Sequence, residues 1–178
     1  TTVELYQAYA DFNDMMDLFE DLLSGAAKEI LGTYEVEWQG EKISLAPGFR
    51  RMTMAEAVKE YLGIDFMAID SDEAAVTAAK AAGVDMDGVE PTWGHALYEC
   101  YDQKVEEHMV QPTFITMHPV DVSPLAKRSP KDPRLTERFE LFICRSEMGN
   151  AFSELNDPID QRSRFQNQVE LRAKGDDE

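Results

Sequence analysis

Arg138-Phe-Glu-Leu-Phe-Ile-Cys-Arg-Ser-Glu-Met-Gly-Asn-Ala-Phe-Ser-Glu-Leu-Asn156 decides how the rest of the chain is read. Two runs rich in strand-forming residues, 139–144 and 148–155, flank the polar break Arg145-Ser146-Glu147, which predicts a β-hairpin or closely spaced strand pair. Side chains alternate faces along a strand, so Asn150, Phe152 and Glu154 share one. An amide, an aromatic ring and a carboxylate are a poor core face and a good wall for a wet pocket. Strict alternation puts Glu147 on the opposite face from Glu154. If both serve one pocket, an irregularity is required near residues 147–149.

Working outward, Thr2–Tyr9 alternates polar and apolar positions and reads as a strand. Phe12, Met15, Met16, Phe19, Leu22, Leu23, Ala26, Ala27 and Ile30 recur at helical spacing, with Gly32 placed for a left-handed cap. Residues 34–38 and 41–45 alternate around Gln39-Gly40, a hairpin signal. Pro47-Gly48 breaks the chain, and Thr53-Met-Ala-Glu56 is a capping box for a helix closed by Gly63. Residues 64–88 shift in composition: Asp70 and Ser71 offer caps and 72–82 is alanine-rich; Pro91-Thr92 then opens a helix expected from about Trp93 to Met109. Thr113–Met117 reads as a strand, followed by a proline-punctuated loop from Pro119 to Pro133 of the length that is usually functional or mobile. Asp157, Pro158 and Asp160 begin a surface helix, expected to run to about Lys174 with only Ile159, Phe165 and Val169 as its apolar stripe.

Composition narrows the function. A chain of 178 residues supports one domain with a possible subdomain, and its 43% hydrophobic content includes no apolar run long enough for a membrane helix. The net charge of −18 leaves no basic stripe for nucleic acid beyond Lys127-Arg128 to Lys131. Cys100 and Cys144 stand far apart in no metal-ligand spacing, which favours free thiols in a reducing, cytoplasmic setting. His95, His108 and His118 form no ligand or nucleophile pattern and read as surface or half-buried polar residues. The opening Thr-Thr-Val, inside a predicted strand and without Met, reads as part of a longer protein.

Phe139-Glu-Leu-Phe-Ile followed by Glu147-Met-Gly-Asn-Ala-Phe-Ser-Glu-Leu-Asn-Asp-Pro158 resembles the substrate-pocket strands of bacterial-type class II lysyl-tRNA synthetases. Pro112-Thr-Phe-Ile-Thr-Met-His-Pro119 and Ser123-Pro-Leu-Ala-Lys127 resemble the strand and loop that precede them. Glu4-Leu-Tyr-Gln-Ala-Tyr-Ala-Asp11 resembles the end of motif 2, and Gly175-Asp-Asp-Glu178 the segment leading to motif 3. Cys144-Arg145-Ser146 departs from the small residues of many bacterial members, and Thr1-Thr2-Val3 from a Met-rich version, whereas Glu4 and Tyr6 are kept.

The resemblance implies an α+β fold, part of the class II aminoacyl-tRNA synthetase antiparallel sheet with flanking helices. Residues 1–63 and 110–178 would form an incomplete catalytic domain, and 64–109 a small helical insertion. It implies lysine activation with ATP and Mg²⁺, transfer to tRNA(Lys), and a cytoplasmic homodimer for the full-length enzyme. Glu4, Tyr6, Asn150, Phe152 and Glu154 would line the lysine pocket, with Asn150 near the reacting carboxylate, and Glu140 and Glu147 would hold the metal.

The residue chemistry suits those roles. An ammonium taken from water needs carboxylate partners such as Glu154 and Glu4, the Tyr6 hydroxyl can join them, and the Phe152 ring can cover methylenes. Leaving such charges unpaired would reject a neutral isostere by on the order of 10⁴. Hard carboxylate oxygens suit Mg²⁺. The start of motif 2, motif 3, motif 1 and the anticodon-binding barrel would lie elsewhere, so this stretch alone is expected to be inactive, with no catalytic residue assigned within it. Two other readings stand beside this one. The related ligase that attaches a lysine-type group to elongation factor P lacks a loop like Ser123–Ala126, and a non-catalytic module could dispense with Glu140, Glu147 or Glu154.

Overall fold

The computed structural model describes residues 2–173. The segment 175–178 and the helix end expected near Lys174 lie outside them.

Helix α1 (Phe12–Ala26) starts where Asp11 accepts from the amides of Asn13 and Asp14, while the Asp14 carboxylate accepts from the Asp11 amide. This reciprocal cap satisfies N–H groups that the first turn would otherwise leave open. A π turn over Ala27–Leu31 carries the helix to Gly32, left-handed at φ 73° as expected. Strands β1 (Glu35–Trp38) and β2 (Glu41–Ser44) make the expected hairpin around Gln39-Gly40.

Strand β3 (Arg50–Thr53) follows, and Thr53 then caps α2 (Met54–Leu62) through its capping box with Glu56. Next come α3 (Asp72–Ala81), capped by Ser71, and α4 (Trp93–Lys104), capped by Thr92. Helix α4 is shorter than its apolar spacing suggests, giving way to a 3₁₀ turn over Glu106–His108. Strands β4 (Thr113–Thr116), β5 (Arg138–Ile143) and β6 (Ser146–Phe152) precede α5 (Pro158–Ala173), where Asp157 accepts from the amides of Ile159 and Asp160.

The larger sheet has the order β3-β4-β5-β6. The pairs β4/β5 and β5/β6 are antiparallel, but β3 runs parallel to β4, so the sheet is mixed where the sequence suggested an antiparallel one. A parallel neighbour requires a crossover, and residues 54–112 with α2, α3 and α4 supply it. These helices cover one face in a cluster that joins Val58, Phe66, Leu97 and Tyr101 to Met52, Ile115 and Phe142. Tyr101 meets Phe142 edge to face at 5.6 Å. The other face, Phe114, Phe139, Leu141 and Ile143, packs on Phe12 and Met16 of α1 and Ile43 of the hairpin. Among the described residues, no helix is long and apolar enough to cross a membrane.

Two further expectations fail. Residues 2–10 form neither strand nor helix, and Tyr9 turns at φ 60°. A strand needs a neighbour for its alternate N–H and C=O groups, and no described strand lies beside this segment to pair with it. The broad apolar stripe of α1 and the π turn is buried only in part, with Leu22 and Ile30 left exposed.

Candidate functional site

The β5–β6 hairpin turns through Cys144 and Arg145, both at positive φ (54° and 63°), the conformation that lets a two-residue turn match strand twist. Neither is glycine, and the strained turn is held from outside. Arg145 donates to Glu41 at 2.8 Å and to the Glu107 carbonyl at 3.0 Å, and the Cys144 thiol sits 3.6 Å from the Trp38 carbonyl.

From that turn the ladder pairs Phe142 with Glu147, then skips Met148 to pair Leu141 with Gly149 and Glu140 with Asn150. The irregularity falls within residues 147–149, where the sequence reading places it. Met148 is supernumerary, and the bulge rotates Glu147 onto the face of Phe142, Glu140 and Asn150. The Asn150 amide donates to Glu147 at 2.9 Å. Gly149 lets α1 lie close, since a Cβ there would stand 3.1 Å from the Phe19 ring.

Beyond Phe152 the pairing changes hands. Ser153 still donates to the Glu137 carbonyl, but the next partners come from the proline-punctuated loop. The Lys127 amide donates to Ser153 O, the Leu155 amide to Leu125 O, and Ala126 forms a bridge with Glu154. The loop after Pro119 is therefore fastened to the sheet rather than left free. The Ser153 hydroxyl accepts from the Phe12 amide, tying the start of α1 to the same point.

A cavity of about 1050 Å³ opens between residues 3–11, α1 and this end of β6. Glu4, Tyr6, Asn150, Phe152 and Glu154 all line it, so five side chains dispersed over 150 positions converge on one hollow. Glu4, Tyr6, Asn150 and Glu154 are solvent-exposed and Phe152 is half-buried, as a wet pocket wall requires. Lys127 and Glu137 also line the cavity, and neither has a pocket role in the sequence reading. Their signal was weak, because only the crossing of the loop over Ser153 brings them there.

Glu140 and Glu147 are not among the cavity's lining residues. Glu140 is buried, with Arg138 donating to Oε1 at 2.6 Å and His118 Nε2 standing 3.3 Å from Oε2. Burial alone would raise the Glu140 carboxyl, but His118 and Arg138 outweigh it and hold it below the ordinary glutamate range. His118 corrects the sequence reading: it is wholly buried, and its carbonyl accepts from both the amide and the hydroxyl of Thr136. Burial, then the charges of Asp102, Glu140 and Glu147, raises Glu106.

The whole chain, residues 1–178, matches the family described as tRNA synthetases class II (D, K and N). The chain belongs to that family. It is 50% identical over all 178 residues to the lysine--tRNA ligase of Staphylococcus haemolyticus and 49% identical to that of Staphylococcus aureus strain MRSA252. In both comparisons it spans 36% of the relative's length. The α+β architecture, with a sheet flanked by helices, is thus that of a class II synthetase segment.

The ATP and Mg²⁺ that the sequence resemblance implies set a test for the donor chemistry of this segment. Among the described residues, no three His, Cys, Asp or Glu side chains converge as a metal cage. Mg²⁺ does not demand one, since one or two carboxylates plus phosphate oxygens suffice. Glu140 and Glu147 share one face of the sheet and match that requirement in donor type, with both Glu140 oxygens met by Arg138 and His118 in this structure.

Proposed function

We propose that the protein carrying this chain activates lysine with ATP to lysyl-adenylate and transfers the lysyl group to tRNA(Lys), working as a cytoplasmic homodimer. The observation that carries this reading is the convergence of Glu4, Tyr6, Asn150, Phe152 and Glu154 on one cavity in a chain half identical to lysine--tRNA ligases.

In that cavity Glu154 and Glu4 accept from the substrate ammonium, whose three donors match carboxylates and the Tyr6 hydroxyl. The Phe152 ring covers the methylenes. Asn150 orients the carboxylate that attacks the α-phosphorus, and in-line displacement then expels pyrophosphate. Glu140 and Glu147 would hold Mg²⁺, which supplies charge neutralisation at the phosphates when bound. In this reading, residues 64–109 are a helical insertion within the catalytic framework of 1–63 and 110–178, consistent with their place inside the β3–β4 crossover.

Lysine-dependent ATP–pyrophosphate exchange by the whole protein tests the reading. Glu154→Gln keeps the shape and removes the charge, so the KM for lysine should rise roughly 10- to 100-fold, the worth of a charge-assisted bond. Absence of exchange with any amino acid would overturn the proposal. Charging of a protein acceptor in place of tRNA would assign the chain to the elongation factor P ligase.

A further inference from the structure

Arg164, in the second turn of α5, lies outside every motif and is 6% exposed. Its Nη1 donates to three carbonyls of one loop, those of Ser123 at 3.1 Å, Pro124 at 3.4 Å and Ala126 at 2.7 Å. Its Nε and Nη2 donate to Asp160, one helical turn earlier, at 3.1 and 2.7 Å. A buried guanidinium is costly unless its donors are engaged, and its flat fork suits several acceptors at once. Here the charge is met by Asp160, and the remaining donor capacity goes to the Ser123–Ala126 backbone.

That loop takes over as the pairing partner of the chain at Glu154. The Lys127 and Leu155 amide bonds and the Ala126–Glu154 bridge lie outside the four-stranded ladder, so the backbone of Glu154 is placed by loop residues. A second arginine holds the loop from the sheet side. Arg138 donates to Val122 O at 2.9 Å and Ser123 Oγ at 3.1 Å while reaching Glu140 with its other nitrogen. Arg128 also bonds Asp160, at 3.1 Å, but from an exposed position.

We propose that Arg164 is a positioning residue for the ammonium end of the cavity. It fixes the Ser123–Ala126 loop, and through that loop the Glu154 carboxylate, so that α5 sets both affinity for the amino-acid side chain and preference for its length. The proposal rests on the assignment of Glu154 as the ammonium partner. Arg164 touches no substrate in this scheme, and its effect passes through backbone geometry, where a small misplacement of one carboxylate weakens binding.

The test compares Arg164→Lys and Arg164→Gln with Arg128→Ala in the whole protein carrying this chain. Arg164→Lys keeps the charge and loses the fork, so it decides the matter should Arg164→Gln fail to fold. Amide hydrogen exchange at 125–127 and 153–155 should quicken about tenfold or more in the Arg164 variants and stay unchanged in Arg128→Ala. In pyrophosphate exchange, the KM for lysine should rise about tenfold with the KM for ATP within about twofold. The preference for lysine over its homologue one methylene shorter should fall severalfold. Unchanged amide exchange would overturn the proposal, as would equal rises in the KM for lysine and for ATP. If Glu154→Gln leaves the KM for lysine unchanged, the assignment of the cavity fails instead, and the hydrogen-exchange result alone then decides whether Arg164 fixes the loop.

Discussion

Phe139 reaches the cavity from β5 at 1% exposure, and Tyr6 reaches it from the opposite wall at 83%. The first wall is a three-strand antiparallel ladder, backed by Leu141 and Phe114 and extended by the Ser123–Lys127 loop under two arginines. The second is residues 2–10, and among the described residues no backbone hydrogen bond outside the helices and strands involves them. Both carry side chains of equal chemical interest, yet only one is held by burial and pairing. Site chemistry and structural support are therefore separable here, and mutations in the two walls should fall into different classes.

The largest contrast is between two leucines. Leu141→Ala removes a fully buried side chain from the sheet and should cost about 3 kcal/mol in denaturant unfolding, whereas Leu5→Ala, on the exposed wall, should stay within about 0.5 kcal/mol. Equal costs would mean that residues 2–10 are anchored as firmly as the sheet.

Next comes Gly94, where α4 meets the base of the fastened loop. A Cβ there would fall 2.1 Å from Asp121 Oδ2 and 2.9 Å from Pro119 Cβ. The carboxylate can swing aside but the proline ring cannot, so Gly94→Ala should destabilise by about 2 kcal/mol, read as a lowered Tm. An unchanged Tm would show that the loop base yields as readily as the opposite wall.

A smaller effect concerns acid. The hydrogen bond from Arg164, opposed by burial and assisted by Arg128, lowers Asp160 from 3.8 to about 2. A depressed carboxylate contributes stability that is complete above its ordinary value and is lost as pH falls through the folded one. The stability difference between the native chain and Asp160→Asn, on the order of 1 kcal/mol at neutral pH, should therefore shrink between about pH 4 and pH 2. A difference that stays constant over that range would remove the ion pair from the account of the loop. The mildest change is Tyr6→Phe, which should leave stability within about 0.5 kcal/mol and act only on ligand affinity.

What could be read from the sequence was what is local. The capping box at Thr53, the left-handed Gly32 and Gly63, and the Gln39-Gly40 turn are each settled within a few residues, and each is found. Parity counting pointed to the place of the bulge, although Glu147 does not join Glu154 in the cavity that motivated the count. Strand β3 was not legible: Arg50-Arg-Met-Thr53 has no strand signature and becomes one only by lying beside β4. Thr2–Tyr9 is the converse, an alternating pattern with no partner to realise it. In α5 the apolar spacing drew attention to Ile159, Phe165 and Val169, all exposed, while the residue that turns inward is charged. The sequence reading passed over Arg164, since nothing local announced its three distant carbonyls.

Both cysteines are free and buried, Cys100 under the crossover helices and Cys144 where the two hairpin turns touch. A thiol reagent large enough to need the whole sulfur exposed can reach Cys144 only after the β1–β2 hairpin lifts away, and Cys100 only after the helical layer parts from the sheet. The order and rates of alkylation thus form a pair of internal clocks, one for each layer, that would time the opening of this chain without any added label.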